Sequence, residues 1–221
     1  MNPAYDAVRA RIDAAAQRVG HPVRLLAVSK TQPAQAVREL AALGQQAFGE
    51  NYVREALTKR RELAVLDLEW HLIGPLQSNK CREVAEHFDW LQSLDREKLI
   101  EPLNRYRAGR PAPLNVLIQV NIDAEASKSG CAPDQVGLLA ASVAAAPHLR
   151  LRGLMAIPAP LADTAARNPS FTAMRELYAA LKSTFPQVDT LSMGMSDDFE
   201  PAIAAGATMV RVGSALFGAR R

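Results

Sequence analysis

The chain has 221 residues, 48% of them hydrophobic and 22% charged, a balance that excludes disordered or collagen-like proteins and leaves ample material for a core. Its formal charge of +3 and pI near 9.0 are mildly basic. Acids are interspersed with the bases, so no nucleic-acid surface is expected, and the Lys59-Arg60-Arg61 cluster reads as the solvated face of a helix.

The N-terminal stretch MNPAYDAVRARIDAAAQRVG lacks the apolar core of a signal peptide, and Val8, Ile12 and Ala15 fall at helical spacing. Eight short segments rich in strand formers follow: 24–30, 47–51, 69–74, 90–95, 115–122, 151–158, 190–195 and 209–214. Between them lie helical patterns such as PAQAVRELAALG, REALTKRRELAVL and PDQVGLLAASVAAAP, several closed by Gly or Pro. Strands that alternate with helices imply crossover connections and a parallel sheet. Eight such units predict a (β/α)8 TIM barrel in one domain over residues 1–221. The first turn, SKTQPAQ, lacks the GxGxxG of a dinucleotide fold, which makes the doubly wound sheet the weaker reading. Only ALFGARR follows the eighth strand, too short for a full helix, so the N-terminal helix (1–20) is expected to cover the barrel there, against the 209–214 strand.

No apolar run is long enough to span a bilayer. Cys81 and Cys131 lie far apart without CxxC spacing, which argues against a disulfide framework or a zinc site and fits a reducing cytoplasm.

Chemistry in such barrels sits at the C-terminal ends of the strands. Here those ends supply Lys30, Glu50 with Asn51, His71 followed by Gly74, Asp95, Asn121, Met155 with Pro158, Ser192 to Ser196, and Arg211 with Gly213 and Ser214. No cluster of His and carboxylates has metal-ligand spacing. A partly desolvated lysine at a rim can attack a carbonyl and form a Schiff base; a lysine that snorkels to solvent or pairs with Glu50 satisfies the same pattern. Two strand-to-helix turns, GMSDDFEP and VGSALF, aim backbone N–H groups and the hydroxyls of Ser196 and Ser214 at one place, as a phosphate cradle would. Ordinary helix capping by these serines explains them equally; Asp198 reads as an N-cap that puts Pro201 in the first turn. Lysine and cradle together point to one ligand carrying an aldehyde and a phosphate.

The strings AVSKTQP, FGENYVREA, WHLIGPLQSNK, LIQVNIDAEASKSG, LRGLMAIPAP and LSMGMSDDFEPAIAAGATMVRVGSALFGAR closely resemble the pyridoxal phosphate homeostasis protein family, in unbroken order from about residue 24 to the C-terminus. The resemblance implies a barrel similar to the N-terminal domain of alanine racemase, of fold-type III, with pyridoxal 5′-phosphate held as a Schiff base on Lys30. It further implies that Ser196, Gly213 and Ser214 bind the phosphate, that Arg211 faces the pyridine nitrogen, and that Asn51, His71 and Met193 lie near the cofactor. Lys128 matches a family lysine in the loop after the fifth strand; a solvated loop lysine is the plainer account. PLP-dependent apo-enzymes are the implied partners, and the bacterial members imply a monomer.

An arginine opposite the ring nitrogen has no proton-accepting capacity, so the cofactor would be a poor electron sink. Racemases of this class add a tyrosine from a separate β-domain. The sequence ends at Arg221, so neither is expected here; of the four tyrosines only Tyr52 could approach the rim, and packing on the following helix is its plainer role. The expectation is a cofactor carrier in the cytoplasm without robust catalysis. An amino-acid racemase, a Schiff-base aldolase and a pure interaction module are the rival readings. GPLQSNK (74–80) matches the family without an evident physical reason, docking of a partner being one account.

Overall fold

Eight parallel strands close on themselves in chain order in the computed structural model, which describes residues 2–158 and 168–218. The strands are β1 (Arg24–Val28), β2 (Ala47–Glu50), β3 (Glu69–Leu72), β4 (Trp90–Leu94), β5 (Leu114–Val120), β6 (Leu149–Ala156), β7 (Thr190–Ser192) and β8 (Met209–Val212). Closure comes from β1 and β8, which pair from Arg24 with Met209 to Ala27 with Val212. The (β/α)8 barrel expected from the alternating pattern is therefore the fold. The final Ala-Pro of LRGLMAIPAP and the last three residues of ALFGARR lie outside the described residues.

All eight strands stop one to three residues before the end of their sequence segments, and at two of them the local reason is visible. The β7 segment bends at Gly194, whose φ of 91° is left-handed and costs little without a Cβ. The β5 segment ends where the Asn121 side chain takes over the backbone of Glu125, donating to its carbonyl at 2.8 Å and accepting its N–H at 3.1 Å, a local bond that competes with the ladder.

Helices α2 (Ala34–Ala41), α3 (Val53–Glu62), α4 (Cys81–His87), α5 (Ile100–Arg107), α6 (Val136–Ala144), α7 (Asn168–Thr184) and α8 (Phe199–Ala204) follow strands one to seven, and a single turn, α9 (Ser214–Phe217), follows β8. The main core fills the layer between strands and helices, with Phe48, Leu91, Ile118, Leu154 and Val210 facing Val37, Val84, Leu103, Leu139 and Phe171. Smaller clusters, Leu26 with Ala47, Ile73 and Met209, and Trp90 with Leu117 and Met155, fill the barrel interior.

The N-terminal helix α1 (Pro3–Val19) begins with Asn2, whose Oδ1 accepts the N–H groups of Ala4 and Tyr5, and ends at Gly20 with φ 74°, a common start and stop. It buries Tyr5, Val8, Ile12 and Ala15. Its main contacts are with α8 and α9 rather than with β8, and Arg11 reaches Glu200 of α8 at 2.6 Å.

At the N-terminal end of the barrel, Arg152 clasps Asp189 through Nε at 2.9 Å and Nη2 at 2.6 Å, joining β6 to the start of β7. Burial opposes ionisation of Asp189, but the Arg152 and Thr190 hydrogen bonds outweigh it and hold the carboxyl below the usual aspartate range. A carboxyl depressed in this way contributes stability in full above its unfolded pKa of about 3.9, and that stability is lost as pH falls through the lower folded value. Melting temperature should accordingly fall as the pH is taken below about 4. Asp189→Asn should melt lower at neutral pH and show a shallower acid decline; an unchanged profile by circular dichroism would contradict this.

Candidate functional site

A cavity of about 440 Å³ opens at the C-terminal ends of the strands, within the usual range for a small-molecule site. Val28, Ile73 and Ile157 give it apolar walls, and Lys30, Asn51, Gln119, Lys128, Ser196, Arg211, Gly213 and Ser214 bring polar groups to it. Six of the eight residues named from sequence thus share one cavity.

Lys30 stands two residues beyond β1, and its backbone is held from below by a dry polar cluster. Ser29 and Glu50 are fully buried and Lys59 of α3 is 5% exposed. Lys59 Nζ donates to the Ser29 carbonyl at 2.6 Å, to Glu50 Oε1 at 2.7 Å and to Glu55 Oε1 at 2.7 Å. Ser29 Oγ donates to the same Glu50 oxygen at 2.6 Å, and Glu55 Oε1 accepts the Thr31 N–H at 2.6 Å. Burial pushes the Glu50 carboxyl up, with Lys59 and Ser29 pulling against it. Thr31 has φ 65°, unfavourable for a β-branched residue by about 1–3 kcal/mol. The residues on both sides of Lys30 are therefore fixed in a geometry the chain alone would not choose.

Beside the end of β1, the Ser196 hydroxyl oxygen accepts the N–H groups of Gly213 and Ala215, each at 3.3 Å, so the turns after β7 and β8 converge as the cradle reading requires. A Cβ on Gly213 would lie 3.2 Å from the Val28 carbonyl, a tight approach that glycine relieves. Asp198 precedes α8, with Pro201 in its first turn, but its carboxylate accepts the Met195 N–H at 2.6 Å instead of capping the helix. It thereby fixes the loop that carries Ser196.

Arg211 is almost fully buried, and burial lowers its pKa to about 10, with Asp198 acting against the shift. It stays a cation at neutral pH. Its Nη2 donates to the Ala156 carbonyl at 2.7 Å.

His71 and Met193 depart from expectation. Both are fully buried and neither lines the cavity. His71 lies inside the barrel, stacked on Trp90 with ring centroids 5.1 Å apart, and Met193 belongs to the layer between strands and helices. The sequence places both at a strand end, but the pleat turns Met193 outward and sets His71 one layer too low. Tyr52 is 62% exposed and also off the cavity wall. Lys128, by contrast, does line the cavity: its Nζ is 3.1 Å from Glu125 Oε2 and 3.3 Å from the Ile157 carbonyl, so it is not a plain solvated lysine.

Gln119 was not legible as a site residue. Its Nε2 donates to the Ser129 carbonyl at 2.9 Å, while its Oε1 is buried without a hydrogen-bond partner. An orphaned acceptor is costly unless a ligand satisfies it, and the available signal was a glutamine inside the apolar run NVLIQVNI. The GPLQSNK segment also acquires a physical account. A Cβ on Gly74 would overlap the Asn51 carbonyl, the Gly74 carbonyl accepts Ser93 Oγ at 2.7 Å, and buried Leu76 accepts Arg96 Nη2 at 2.7 Å. These contacts seat Asn51 at the cavity.

The profile of the alanine racemase N-terminal domain matches residues 4–221. Fold and cavity thus define a barrel of that class. The chain is 57% identical over 216 residues to the pyridoxal phosphate homeostasis protein of Pseudomonas aeruginosa, with 96% of this chain and 93% of that protein covered. It is 55% identical over 219 residues to the protein of that name in Escherichia coli, with 96% and 94% covered. The chain belongs to the pyridoxal phosphate homeostasis protein family. PipY of Synechococcus elongatus, solved with PLP bound, superposes with a TM-score of 0.82 at 39% identity, covering 94% of this chain and 99% of PipY.

Lys59→Met should leave Glu50 buried without its counter-charge and destabilise the fold by about 3–5 kcal/mol in urea denaturation. Pairing it with Glu50→Gln should recover part of the loss; equal stability of Lys59→Met and the unaltered protein would refute the stabilising role of this cluster.

Proposed function

We propose that this chain binds pyridoxal 5′-phosphate reversibly through Lys30 and serves its homeostasis by holding and releasing it to apo-enzymes in the cytoplasm. The observation that carries the reading is the convergence on one cavity of an amine, a hydroxyl and N–H cradle and a buried guanidinium. These match the three ends of that molecule: aldehyde, phosphate and ring nitrogen. Lys30 Nζ adds to the aldehyde carbon, a C=N bond forms and water leaves; hydrolysis reverses the step. Ser196, Gly213 and Ser214 hold the phosphate, Arg211 faces the ring nitrogen, and Asn51 lies beside them, with Lys128 and the Gln119 side-chain oxygen completing the wall.

When bound, the cofactor supplies an aldehyde and an electron-withdrawing ring. Arg211 donates only, which keeps the ring nitrogen unprotonated and the electron sink weak. Among the described residues, no tyrosine lines the cavity, so no tyrosine is placed to provide the factor of about 10² to 10⁴ that a positioned general acid or base contributes. The curated relatives are named for homeostasis of the cofactor and not for a reaction. We read the chain as a monomeric, single-domain carrier. Among the described residues, no helix is long and apolar enough to cross a membrane.

Titration with pyridoxal phosphate should produce a visible band, and borohydride should then fix the cofactor on Lys30, as read by peptide mass spectrometry. Lys30→Ala should lose both signals, and Ser196→Ala should weaken binding by about tenfold, the size expected for a lost hydrogen bond to a charged group. Attachment at another lysine, or sustained racemisation of alanine by the unaltered protein, would overturn the carrier reading.

A further inference from the structure

A line of polar side chains runs through the apolar barrel interior from Arg211 to the opposite end. Arg211 Nη1 donates to Ser192 Oγ at 2.8 Å, and Ser192 Oγ donates to Gln92 Oε1 at 2.8 Å. Gln92 Nε2 is 2.9 Å from His71 Nδ1, His71 Nε2 is 2.6 Å from Glu69 Oε1, and Arg24 Nη2 donates to the same oxygen at 2.7 Å. Ser192, Gln92 and His71 are fully buried. The cofactor reading gives none of them a task.

We propose that Glu69, at the N-terminal end of the barrel, sets the direction of this hydrogen-bond chain and through His71, Gln92 and Ser192 orients Arg211 toward the ligand. The inference rests on the proposed pyridoxal phosphate site.

The two ends of the chain leave a neutral His71 one arrangement of protons. Arginine has no acceptor, so Ser192 Oγ must accept from it and turn its own proton to Gln92. The Gln92 oxygen therefore faces Ser192, and its NH₂ faces His71. Nδ1 must then be bare and the ring proton must sit on Nε2, where the acceptor-only carboxylate of Glu69 receives it. Each donor points from Arg211 toward Glu69. A proton on Nδ1 would set two donors against each other at Gln92, and turning the Gln92 amide would leave the Ser192 hydroxyl proton without that acceptor. Burial lowers the His71 pKa against the opposing pull of Glu69, consistent with the neutral ring.

Arg211 gains from this a fixed plane. Two of its five N–H donors are committed, to Ser192 and to the Ala156 carbonyl, and these two contacts hold the guanidinium at the cavity wall. Glu69, His71, Gln92 and Ser192 are positioning residues, since none of them lines the cavity.

The test compares the unaltered full chain with Glu69→Ala, Ser192→Ala, the double variant and Glu69→Asp. Nitrogen-15 NMR of the ligand-free protein, with the His71 signal assigned by His71→Gln, should show a neutral ring protonated on Nε2 at neutral pH. On titration with pyridoxal phosphate, each single Ala variant should weaken binding by about tenfold and shift the visible band. The double variant should bind no more weakly than either single one, because both break one chain, and Glu69→Asp should restore part of the loss. A His71 proton on Nδ1, multiplicative losses in the double variant, or Ala variants that melt lower but keep the unaltered affinity and band would each overturn the chain. If the unaltered protein forms no bond with pyridoxal phosphate, the cofactor reading fails instead, and the NMR result alone judges the chain.

Discussion

The pairing of β1 with β8 is the constraint on which the site depends. It joins the first strand of the chain to the last, four residue pairs in parallel register, and so sets Lys30 beside the turn of Gly213 and Ser214 across nearly the whole length of the sequence. No local interaction could do this. The closeness is enforced by Gly213 against the Val28 carbonyl, while Ser196 reaches from the preceding turn to the backbone N–H groups of the same turn. Barrel closure and cradle formation are one event.

The end of β1 also shows how the fold spends stability to fix the position of Lys30. Burying Lys59 and Glu50 has a desolvation cost that a hydrophobic pair would avoid, and Thr31 sits in the left-handed region. Both features flank Lys30. The contacts of Lys59 with Ser29, Glu50 and Glu55 tie the end of β1 to β2 and α3, so the lysine is presented by a rigid support. Such a support suits the reversible exchange proposed for Lys30, since the geometry does not have to be reassembled each time.

The interior of the barrel carries a second investment of the same kind. Leu26, Leu117, Met155 and Met209 would make a dry plug on their own, yet a histidine, a glutamine and a serine run through it. A buried polar chain is tolerated when every member has a partner, and each link here lies between 2.6 and 2.9 Å. Arg211 is thereby a cation supported by a line of dipoles ending at a carboxylate, while its own surroundings stay largely without negative charge.

The sequence by itself determined the strand and helix order, because alternating apolar segments with Gly and Pro punctuation leave few other folds open to a chain of this length. It also brought Lys30, Asn51, Ser196, Arg211, Gly213 and Ser214 to the cavity wall, since each follows a strand or, as Arg211 does, lies near its C-terminal end. Tertiary structure alone decided what lies between the strand ends. His71 looks like a rim residue in WHLIG but sits one layer below, Met193 turns to the helix layer, and Gln119 hides an unpartnered oxygen in an apolar run. Lys59 reads as part of a solvated basic cluster, yet it is the buried member. Depth along the barrel axis and the face on which a side chain lands follow from strand stagger and helix rotation. Those are set by packing against residues far away in sequence, and no local pattern of residue types encodes them.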